Sequence, residues 1–554
     1  MNSYWERLRK RKLSRRAVLG GGLGAFGLAV VACDSGGGNE PGPGETPAAP
    51  DGEPKRGGTI IFGSAVPPTF GLDPHIELAL GLLIFPKVYG YVLHQDPRDE
   101  SIILDQGASW EQPDELTYVL RLQPGVRFQD IPPVGGREVE AEDVVASQRR
   151  FLEHPFVLSK IWHEEVLDTV EATDSLTVVV KTKRPYVYSL EALGSILAGV
   201  IIPQELASPE EDLNTKGVGS GPFMIDKVAL KEEISIVRNP GYFRQPLPYV
   251  DRLVWKIVPD DATKMAALRA RQIDATGLRD RIELDEARGI SGDLSTSEVP
   301  SLFYHSFAMQ MSKPLFSDMR VAEAIDIGID RQAIIDKITF GDGEIMGAIN
   351  QHMAEGFWAL PESELREAYG MNLSKEERVA KARALLSSAG AEGSALTIRV
   401  PTLSTALDVA TLLENQLKTI GLDVRLEPQE LLVWLVNAMQ GEFDAIVIPH
   451  LPYESPDNAT RYYHSQGRGN VGQGFNYDNP EFDRLIVQSW GQFDRDERRA
   501  TLLELQRAIL QTHAPMLNLF TGLNYGASWN YVKGLQPELP QSLQQYVYTL
   551  WLDR

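Results

Sequence analysis

The stretch from Val218 to Phe243 constrains the fold of this chain more than any other part of the sequence. It opens with the glycine- and proline-rich turn Val218-Gly219-Ser220-Gly221-Pro222 and closes at the breaker Asn239-Pro240-Gly241. The residues between these points predict a pair of strands, with Ile234-Ser235-Ile236-Val237 as the second strand. Such a turn suits a chain that passes from one structural unit to another.

Length and charge narrow the class of protein. A chain of 554 residues exceeds what one hydrophobic core usually serves, so we expect two or three domains. Hydrophobic residues make up 43% of the chain, which is typical of a soluble globular protein. The net charge of −22 argues against a nucleic acid partner, because phosphate binding requires clustered Lys and Arg.

Residues 1–33 are predicted to be an export signal. Seven basic residues precede the uncharged apolar run 17–32, which is shorter than a typical transmembrane helix. Residues 14–19 resemble a twin-arginine signal. Residues 30–33 resemble a lipobox, in which the cysteine is acylated and becomes the new N-terminus. An uncleaved signal anchor is the alternative.

Cys33 is the only cysteine of the chain, so we interpret it as a lipid attachment point and not as a nucleophile. The mature chain can therefore form no internal disulfide. Residues 1–32 carry a net charge of +6, and their removal takes the charge from −22 to about −28. Residues 34–56, rich in Gly, Pro and Glu, are predicted to be a flexible linker without a core.

Several motifs of the mature chain follow one another in the order of a known family. The stretch 218–243 closely resembles the V-G-T-G-P-Y … R-N-P-x-Y-W segment of the large extracytoplasmic solute-binding proteins of ABC importers. This is solute-binding protein family 5, which includes dipeptide-, oligopeptide- and nickel-binding proteins. Leu72-Asp73-Pro74 resembles the L-D-P turn of the family, and residues 314–331 resemble its P-P-F-x-D-x-R-V-R … A-I-D-R motif. The resemblance runs from about Gly57 to near the C-terminus.

Local patterns in the second half predict individual elements. Ser317 or Asp318 can cap the helix that follows. Apolar residues between 409 and 420 share one helical face, and Gly421 ends that helix. The last predicted helix is Arg495–Thr512.

The resemblance implies an α/β fold, the two-lobed periplasmic-binding-protein fold (cluster C type, type II-like) with an extra small domain inserted in the first lobe. The ligand would be enclosed when the lobes close like a hinge. The predicted parts are the signal peptide 1–33, the linker 34–56, the first lobe 57–95, 218–302 and 516–554, the extra small domain 96–217, and the second lobe 303–515.

The sequence assembles no nucleophile–base constellation, so we expect no enzyme activity. Residues 217–221 depart from G-x-S-x-G because the serine comes one position late. His163-Glu164-Glu165 departs from H-E-x-x-H because position 167 is leucine. Scattered histidines and a single cysteine provide no metal cluster, and we expect no cofactor. The alternative from another class is a hydrolase on the same two-lobed scaffold.

In peptide-binding members of the family, a carboxylate shortly before a proline in the second lobe pairs with the α-ammonium of the ligand. Counting back from Pro456, Pro452 takes the place of this carboxylate, and Glu454 and Asp457 flank it as candidate substitutes. The alternative is that both acidic residues cap or solvate a loop. Because a buried ammonium without a counter-charge is costly, this departure keeps open an uncharged ligand such as a short saccharide.

The other candidate ligand-binding residues match cleft segments of the family. They are Glu77, Leu78, Gly277, Leu278, His305, Phe307, Trp434, His450, Tyr453, Arg461, Phe520 and Asn524. For Trp434 and Phe520 the alternative is ordinary core packing. For Arg461 it is a surface ion pair.

Together these features predict an exported receptor, lipid-anchored on the outer face of the cytoplasmic membrane. It would capture a small oligomeric solute, with a peptide as the first choice, and present it to the permease subunits of an ABC importer. Binding would shift an open–closed equilibrium of a monomer. An oligosaccharide- or metal-chelate-binding member of the same family is the alternative.

Overall fold

The structure, a computed structural model, describes these residues: 52–68, 71–76, 81–153, 162–196, 198–208, 211, 213–214, 217–451, 455–466, 471–536 and 549–554. All of them belong to one compact unit, Ala48–Arg554. The predicted signal peptide, Cys33 and most of the predicted linker lie outside the described residues.

A ten-stranded sheet runs through the described part of the chain. Its strands in spatial order are β10 (Phe223–Ala229), β11 (Glu233–Arg238), β12 (Arg252–Ile257), β1 (Thr59–Ser64), β13 (Ala275–Leu278), β18 (Met516–Trp529), β14 (Leu294–Met309), β17 (Ala445–His450), β15 (Ala395–Pro401) and β16 (Asp423–Gln429). The predicted strand pair after the Val218 turn is present as the antiparallel pair β10 and β11.

Two long strands connect the halves of this sheet. β14 and β18 run antiparallel, with Cα partners from Leu294↔Trp529 to Ala308↔Met516. The first part of this ladder lies beside β13, which pairs with β18, and the last part lies beside β17, which pairs with β14. On the far side β15 pairs in parallel with both β16 and β17, which is the pattern of an α/β unit.

Four smaller sheets are present in the described part of the chain, three of them in its first part and one at its end. An antiparallel four-stranded sheet has the order β5 (Gly107–Asp114), β6 (Thr117–Leu122), β8 (Thr177–Thr182) and β7 (Leu167–Asp174). It lies within the range predicted for the extra small domain, whose boundaries stay a prediction. The two-stranded pairs are β2 (Gly90–Tyr91) with β9 (Val200–Ile201), β3 (Leu93–Gln95) with β4 (Ile102–Leu104), and β19 (Val532–Lys533) with β20 (Trp551–Leu552).

The bounds of the helices agree with the capping residues in the sequence. They are α1 (Gly81–Val88), α2 (Ala141–Glu153), α3 (Ser189–Gly194), α4 (Asp261–Arg269), α5 (Arg281–Arg288), α6 (Met319–Gly328), α7 (Arg331–Ile338), α8 (Glu362–Ala368), α9 (Lys375–Ser388), α10 (Ser404–Ile420), α11 (Leu431–Gln440), α12 (Pro456–Thr460), α13 (Pro480–Trp490) and α14 (Arg495–Thr512). Asp318 caps α6 by accepting a hydrogen bond from the amide of Arg320 at 3.0 Å, as predicted. The predicted bounds of the last helix coincide with α14.

Each half of the large sheet buries its own apolar residues. In the second half, Leu413 and Leu417 of α10 are fully buried in one cluster with Ile398 of β15. In the first half, Leu268 of α4 and Leu284 of α5 are fully buried in a separate cluster. A third cluster contains residues of both halves, among them Ile60 of β1 and Ile446 of β17, so the halves also share buried apolar contacts.

The beginning and the end of the described chain lie together. Nζ of Lys55 is 2.7 Å from a carboxylate oxygen of Asp553. The side chain of Arg56 donates to the carbonyl of Pro246 at 2.6 Å. In the part of the chain that the structure describes, no helix is long and apolar enough to cross a membrane.

The end of α10 provides a test of the predicted helix stop. Gly421 has φ of +108°, a region that favours glycine, and an added Cβ would meet nothing within 4 Å. Gly421→Ala should therefore lower the free energy of unfolding by about 1 kcal/mol through backbone strain alone.

Gly292→Ala is the matched control, because its added Cβ also meets nothing and its φ lies outside the left-handed region. Urea titrations of both variants should separate them. Equal stability of the two would contradict the strain argument.

Candidate functional site

The candidate site is built on three neighbouring strands. His305 and Phe307 lie on β14, and Phe520 and Asn524 lie on β18. His450 ends β17. The register sets His305 opposite Phe520 and sets Tyr304 opposite His450. The structure therefore brings together predicted residues that are far apart in the sequence.

Two stacked ring pairs occupy opposite faces of the sheet at this point. His305 stacks on Phe520 with ring centroids 5.2 Å apart and an interplanar angle of 10°. Tyr304 stacks on His450 at 4.0 Å and 6°, and Tyr462 meets the same imidazole edge-on at 4.9 Å. Successive side chains of a strand point to opposite faces, so His305 and His450 serve different surfaces although both were predicted to contact ligand.

Both imidazoles are neutral near pH 7. Burial lowers the pKa of His305 to about 4. Burial, together with the charge that His305 would carry, lowers the pKa of His450 well below its usual value. Nε2 of His450 lies 2.7 Å from Oγ of Ser306, a hydrogen bond that orients the ring. Tyr304, His450 and Phe520 are 2%, 3% and 4% exposed, so these rings pack mainly on one another, and the crossing carries no charged imidazole near pH 7.

Hydrogen bonds among Ser301, Asn350 and Thr521, which we call the polar knot, stabilise an irregularity in the pairing of β14 with β18. The register shifts between Pro300 and Tyr304. The hydroxyl of Thr521 lies 2.8 Å from the carbonyl of Ser301, to which it donates. The amide of Asn350 donates to the same carbonyl at 3.3 Å and to Oγ1 of Thr521 at 3.2 Å. Such a bulge bends the strand locally, which suits a position where the chain passes between lobes.

Asn524 belongs to the same knot. Oγ of Ser301 donates to Oδ1 of Asn524 at 3.0 Å, so one polar atom of this predicted ligand contact already has a protein partner. Thr521, Ser301 and Asn350 were missed by sequence reasoning. They are separated from their partners by up to 223 residues, and no local pattern marks them.

Beneath the knot, a buried arginine anchors β18. The side chain of Arg331 is fully buried and donates from Nε to the carbonyl of Asn518 at 2.9 Å. Its guanidinium also lies 2.5 Å from Oδ1 of Asp326 and 3.6 Å from the centre of the Tyr369 ring. Burial alone would raise the pKa of Asp326, but Arg331 and His513 hold it below its usual value.

Asp457, a predicted ligand contact, is engaged by the protein. Its carboxylate is buried and accepts hydrogen bonds from the hydroxyl of Tyr186 at 2.8 Å and from Nε1 of Trp490 at 2.7 Å. Burial and the charge of Asp457 raise the pKa of Tyr186 well above its usual value. The N-cap of α12 is Ser455, so Asp457 neither caps this helix nor lies in solvent.

The other predicted residues are placed as follows. Phe307 and Phe520 are buried in the core of the second half, Leu278 is buried in that of the first, and Trp434 of α11 is 4% exposed. Gly277 is exposed at the end of β13. The side chain of Arg461 donates to Asn458. Glu77, Leu78, Tyr453 and Glu454 lie outside the described residues. Whether any of these residues binds a ligand stays a prediction.

No metal centre competes with this site within the described ranges. His, Cys, Asp and Glu side chains there form no group of three or more that could hold a metal ion.

Comparison with known proteins gives a consistent result. Residues 104–473 match the family described as bacterial extracellular solute-binding proteins, family 5 Middle. The oligopeptide-binding protein AppA of Bacillus subtilis is 24% identical over 531 residues, which is 90% of each chain. Heme-binding protein A of Haemophilus influenzae is 25% identical over 455 residues, covering 77% of this chain and 80% of that protein.

A solved structure shows the same fold. The periplasmic binding protein DppA from Helicobacter pylori, associated with an ABC transporter and in complex with the peptide STSA, has a TM-score of 0.77 and 22% identity. The match covers 90% of this chain and 99% of that chain. The predicted two-lobed α/β fold is confirmed.

The neutral histidines at the crossing give a pH prediction. An unfolded chain protonates His305 near pH 6.5 whereas the folded chain protonates it at about 4, so the unfolded state binds more protons between these values. The free energy of unfolding should therefore fall as the pH decreases from 6.5 to 4, by up to about 1.4 kcal/mol per pH unit for this residue.

His305→Phe keeps a ring on Phe520 and removes the titration. Urea titrations across this pH range should show a shallower fall in the variant than in the natural chain. Identical slopes would contradict the assignment of a neutral, buried imidazole.

Proposed function

The chain belongs to family 5 of the bacterial extracellular solute-binding proteins, and we propose that it captures a short peptide between its two lobes for delivery to the permease of an ABC importer. The observation that carries this proposal is the relationship to an oligopeptide-binding protein along 90% of both chains. The structure of the DppA complex with a tetrapeptide supports the same ligand class.

The geometry of the crossing strands fits this role. β14 and β18 run through both halves of the large sheet, and each half has a buried cluster of its own beside a third cluster that includes residues of both halves. A hinge at the irregular ladder between Pro300 and Tyr304 lets the halves move as rigid bodies. The stacked rings of His305 and Phe520 supply a neutral, water-excluding surface beside the hinge.

The α-ammonium of a bound peptide needs a counter-charge in this proposal. Asp457 is the weaker candidate, because both of its carboxylate oxygens already accept hydrogen bonds from Tyr186 and Trp490. Glu454 is therefore the proposed partner of the ammonium. In this chain Pro452 takes the place of the carboxylate of the family pattern. Glu454 lies close to that place, two residues before Pro456, which supports this choice.

A metal chelate is the second candidate ligand. The Haemophilus influenzae relative is a heme-binding protein, and heme is an iron chelate. A site with two neutral histidines and several aromatic rings also suits a flat, apolar ligand. An oligosaccharide is a third, less supported class, which only the missing carboxylate at Pro452 favours. In each case the ligand leaves chemically unchanged.

Peptide binding should raise the stability of the protein and make it more compact. With a dipeptide, the tetrapeptide Ser-Thr-Ser-Ala or a nonapeptide at a hundredfold excess over the dissociation constant, the free energy of unfolding should rise by about 2.7 kcal/mol. Calorimetry and small-angle X-ray scattering measure uptake and closure, and mass spectrometry of the recovered peptide tests for cleavage. Heme and oligosaccharides are tested in the same way in parallel experiments. Uptake of either without any peptide uptake would overturn the peptide proposal, and a cleaved peptide would overturn the role itself.

The same titrations test Glu454. Glu454→Gln should weaken binding of a peptide with a free N-terminus about tenfold or more, because a hydrogen bond to a charged group contributes roughly 1.5–3 kcal/mol. Binding of the N-acetylated peptide should change little. Glu392→Gln, an exposed acidic position of the second lobe, is the control. Full affinity of the Glu454 variant for the free peptide would rule out this counter-charge.

We further propose that Cys33 carries a lipid that anchors the exported protein to the outer face of the cytoplasmic membrane. The lipobox-like residues 30–33 and the twin-arginine-like residues 14–19 support this proposal. The mature chain would act as a monomer, with the permease subunits as its partners.

Replacing Cys33 by Ala in cells should move the protein from the membrane fraction to the soluble exported fraction and abolish labelling by radioactive palmitate. Ser35→Ala is a nearby control that keeps the cysteine. Palmitate labelling of the Cys33 variant would contradict the assignment.

A further inference from the structure

The two lobes also meet along a surface away from the crossing strands. On one side are residues 96–101 and 184–191, which lie in the range predicted for the extra small domain. On the other side are residues 353–358, 455–458 and 490–498. The amide of Val187 donates to the carbonyl of Trp490 at 2.8 Å, and the side chain of Arg495 donates to the carbonyl of Arg98 at 3.1 Å. We call this contact the seam.

An ion pair between a fully buried arginine and a glutamate that is 26% exposed lies at the centre of the seam. The side chain of Arg498 is fully buried, and its Nη2 lies 2.5 and 2.6 Å from the two carboxylate oxygens of Glu100. The guanidinium also lies 4.9 Å from the ring centre of Trp358. Arg498 is in the second lobe and Glu100 is in the first, so opening the lobes must separate two charges that have lost most of their water.

Aromatic contacts extend the seam beyond this pair. The rings of Tyr186 and Trp490 meet edge-on at 5.6 Å, and both side chains donate to Asp457. The side chain of Asn458 donates to the carboxylate of Glu191 at 2.7 Å. Charged, polar and apolar contacts are thus made together and must be broken together.

The backbone on both sides of the ion pair is strained. Glu100 has φ of 66°, and across the seam Ala354 and Glu355 have φ of 47° and 56°. Residues other than glycine rarely adopt this region, and they persist there only where the surrounding contacts hold them. The carboxylate of Glu355 also interacts electrostatically with Arg98. Strain of this kind is concentrated at clamps and switches.

One helix connects the seam to the hinge. Arg495 and Arg498 lie in the first turn of α14, an 18-residue helix that spans about 27 Å. β18 begins four residues after this helix ends. Nδ1 of His513 lies 2.7 Å from Asp326, which also binds Arg331 beneath β18. A change at the seam therefore reaches the crossing strand through a rigid element.

We propose that the seam is a latch that stabilises the closed arrangement of the two lobes, so that part of the unliganded population is already closed, with Glu100 and Arg498 as its charged centre. This inference rests on the proposed closure of the lobes around a solute. Glu100 and Arg498 are not predicted to touch the solute. Loosening the latch would therefore shift the open–closed equilibrium without altering the contacts that select the ligand.

The test uses the full chain without ligand. Glu100→Gln leaves Arg498 without its counter-charge, and opening the lobes lets water reach that guanidinium. The variant should show a larger radius of gyration in small-angle X-ray scattering, and faster hydrogen exchange of the amides of residues 96–101 and 490–498.

The matched control is Glu364→Gln, which removes an exposed ion pair with Arg507 on the same helix, at 2.8 and 3.1 Å. Both partners of that pair lie in the second lobe, so scattering and exchange should match the natural chain. Tyr186→Phe is the second variant. It removes only the hydroxyl that donates to Asp457 and should expand the protein in the same direction by a smaller amount. If circular dichroism shows that the Glu100 variant has lost its fold, the scattering and exchange of the Tyr186 variant test the latch instead.

An unchanged scattering curve and unchanged exchange in folded Glu100→Gln, beside a natural chain that contracts when peptide is added, would overturn the latch and leave the proposed function intact. A natural chain whose scattering no bound peptide alters would count against hinge closure itself. Expansion of the control variant to the same extent would also overturn the latch, because the effect would then not depend on the seam.

Discussion

The antiparallel pairing of β14 and β18 is the interaction on which the rest of the structure depends. A ladder of backbone hydrogen bonds joins the two halves of the large sheet, and its regularity fails between Pro300 and Tyr304. The groups freed by this failure are satisfied by Thr521, Ser301 and Asn350. The regular pairing on either side defines the direction in which the two halves can move. The irregular segment can bend at low cost because its polar groups stay hydrogen-bonded.

Electrostatics at the crossing differ from those of the chain as a whole. The sequence carries a net charge of −22, yet the strand ends present stacked rings and two neutral imidazoles. Buried charged groups are instead used in pairs, such as Arg331 with Asp326 beside β18 and, away from the crossing, Arg498 with Glu100 at the seam. Paired charges of this kind fix the geometry of the walls and leave the middle of the site free of unbalanced charge.

The sequence was informative wherever the cause of a structure is local. The cap of α6 by Asp318 follows from side-chain chemistry within a few residues, and the stop of α10 at Gly421 follows from the conformational freedom of glycine. The family motifs extended this to the fold. The sequence failed where a partner is distant: nothing near Asp457 predicts Tyr186, 271 residues away. The placement of His305 and His450 on opposite faces likewise depends on a strand register that no local pattern sets.

The pairing of Lys55 with Asp553 has a consequence for how the chain can be rebuilt. Because the described ends meet at one edge of the first lobe, a short covalent link between them would leave the sheet order untouched. New termini could then be opened at Gly393, an exposed turn with room around its Cα between α9 and β15. A fluorescent reporter attached to these new termini would lie on the second lobe, where the natural chain has no free end among its described residues.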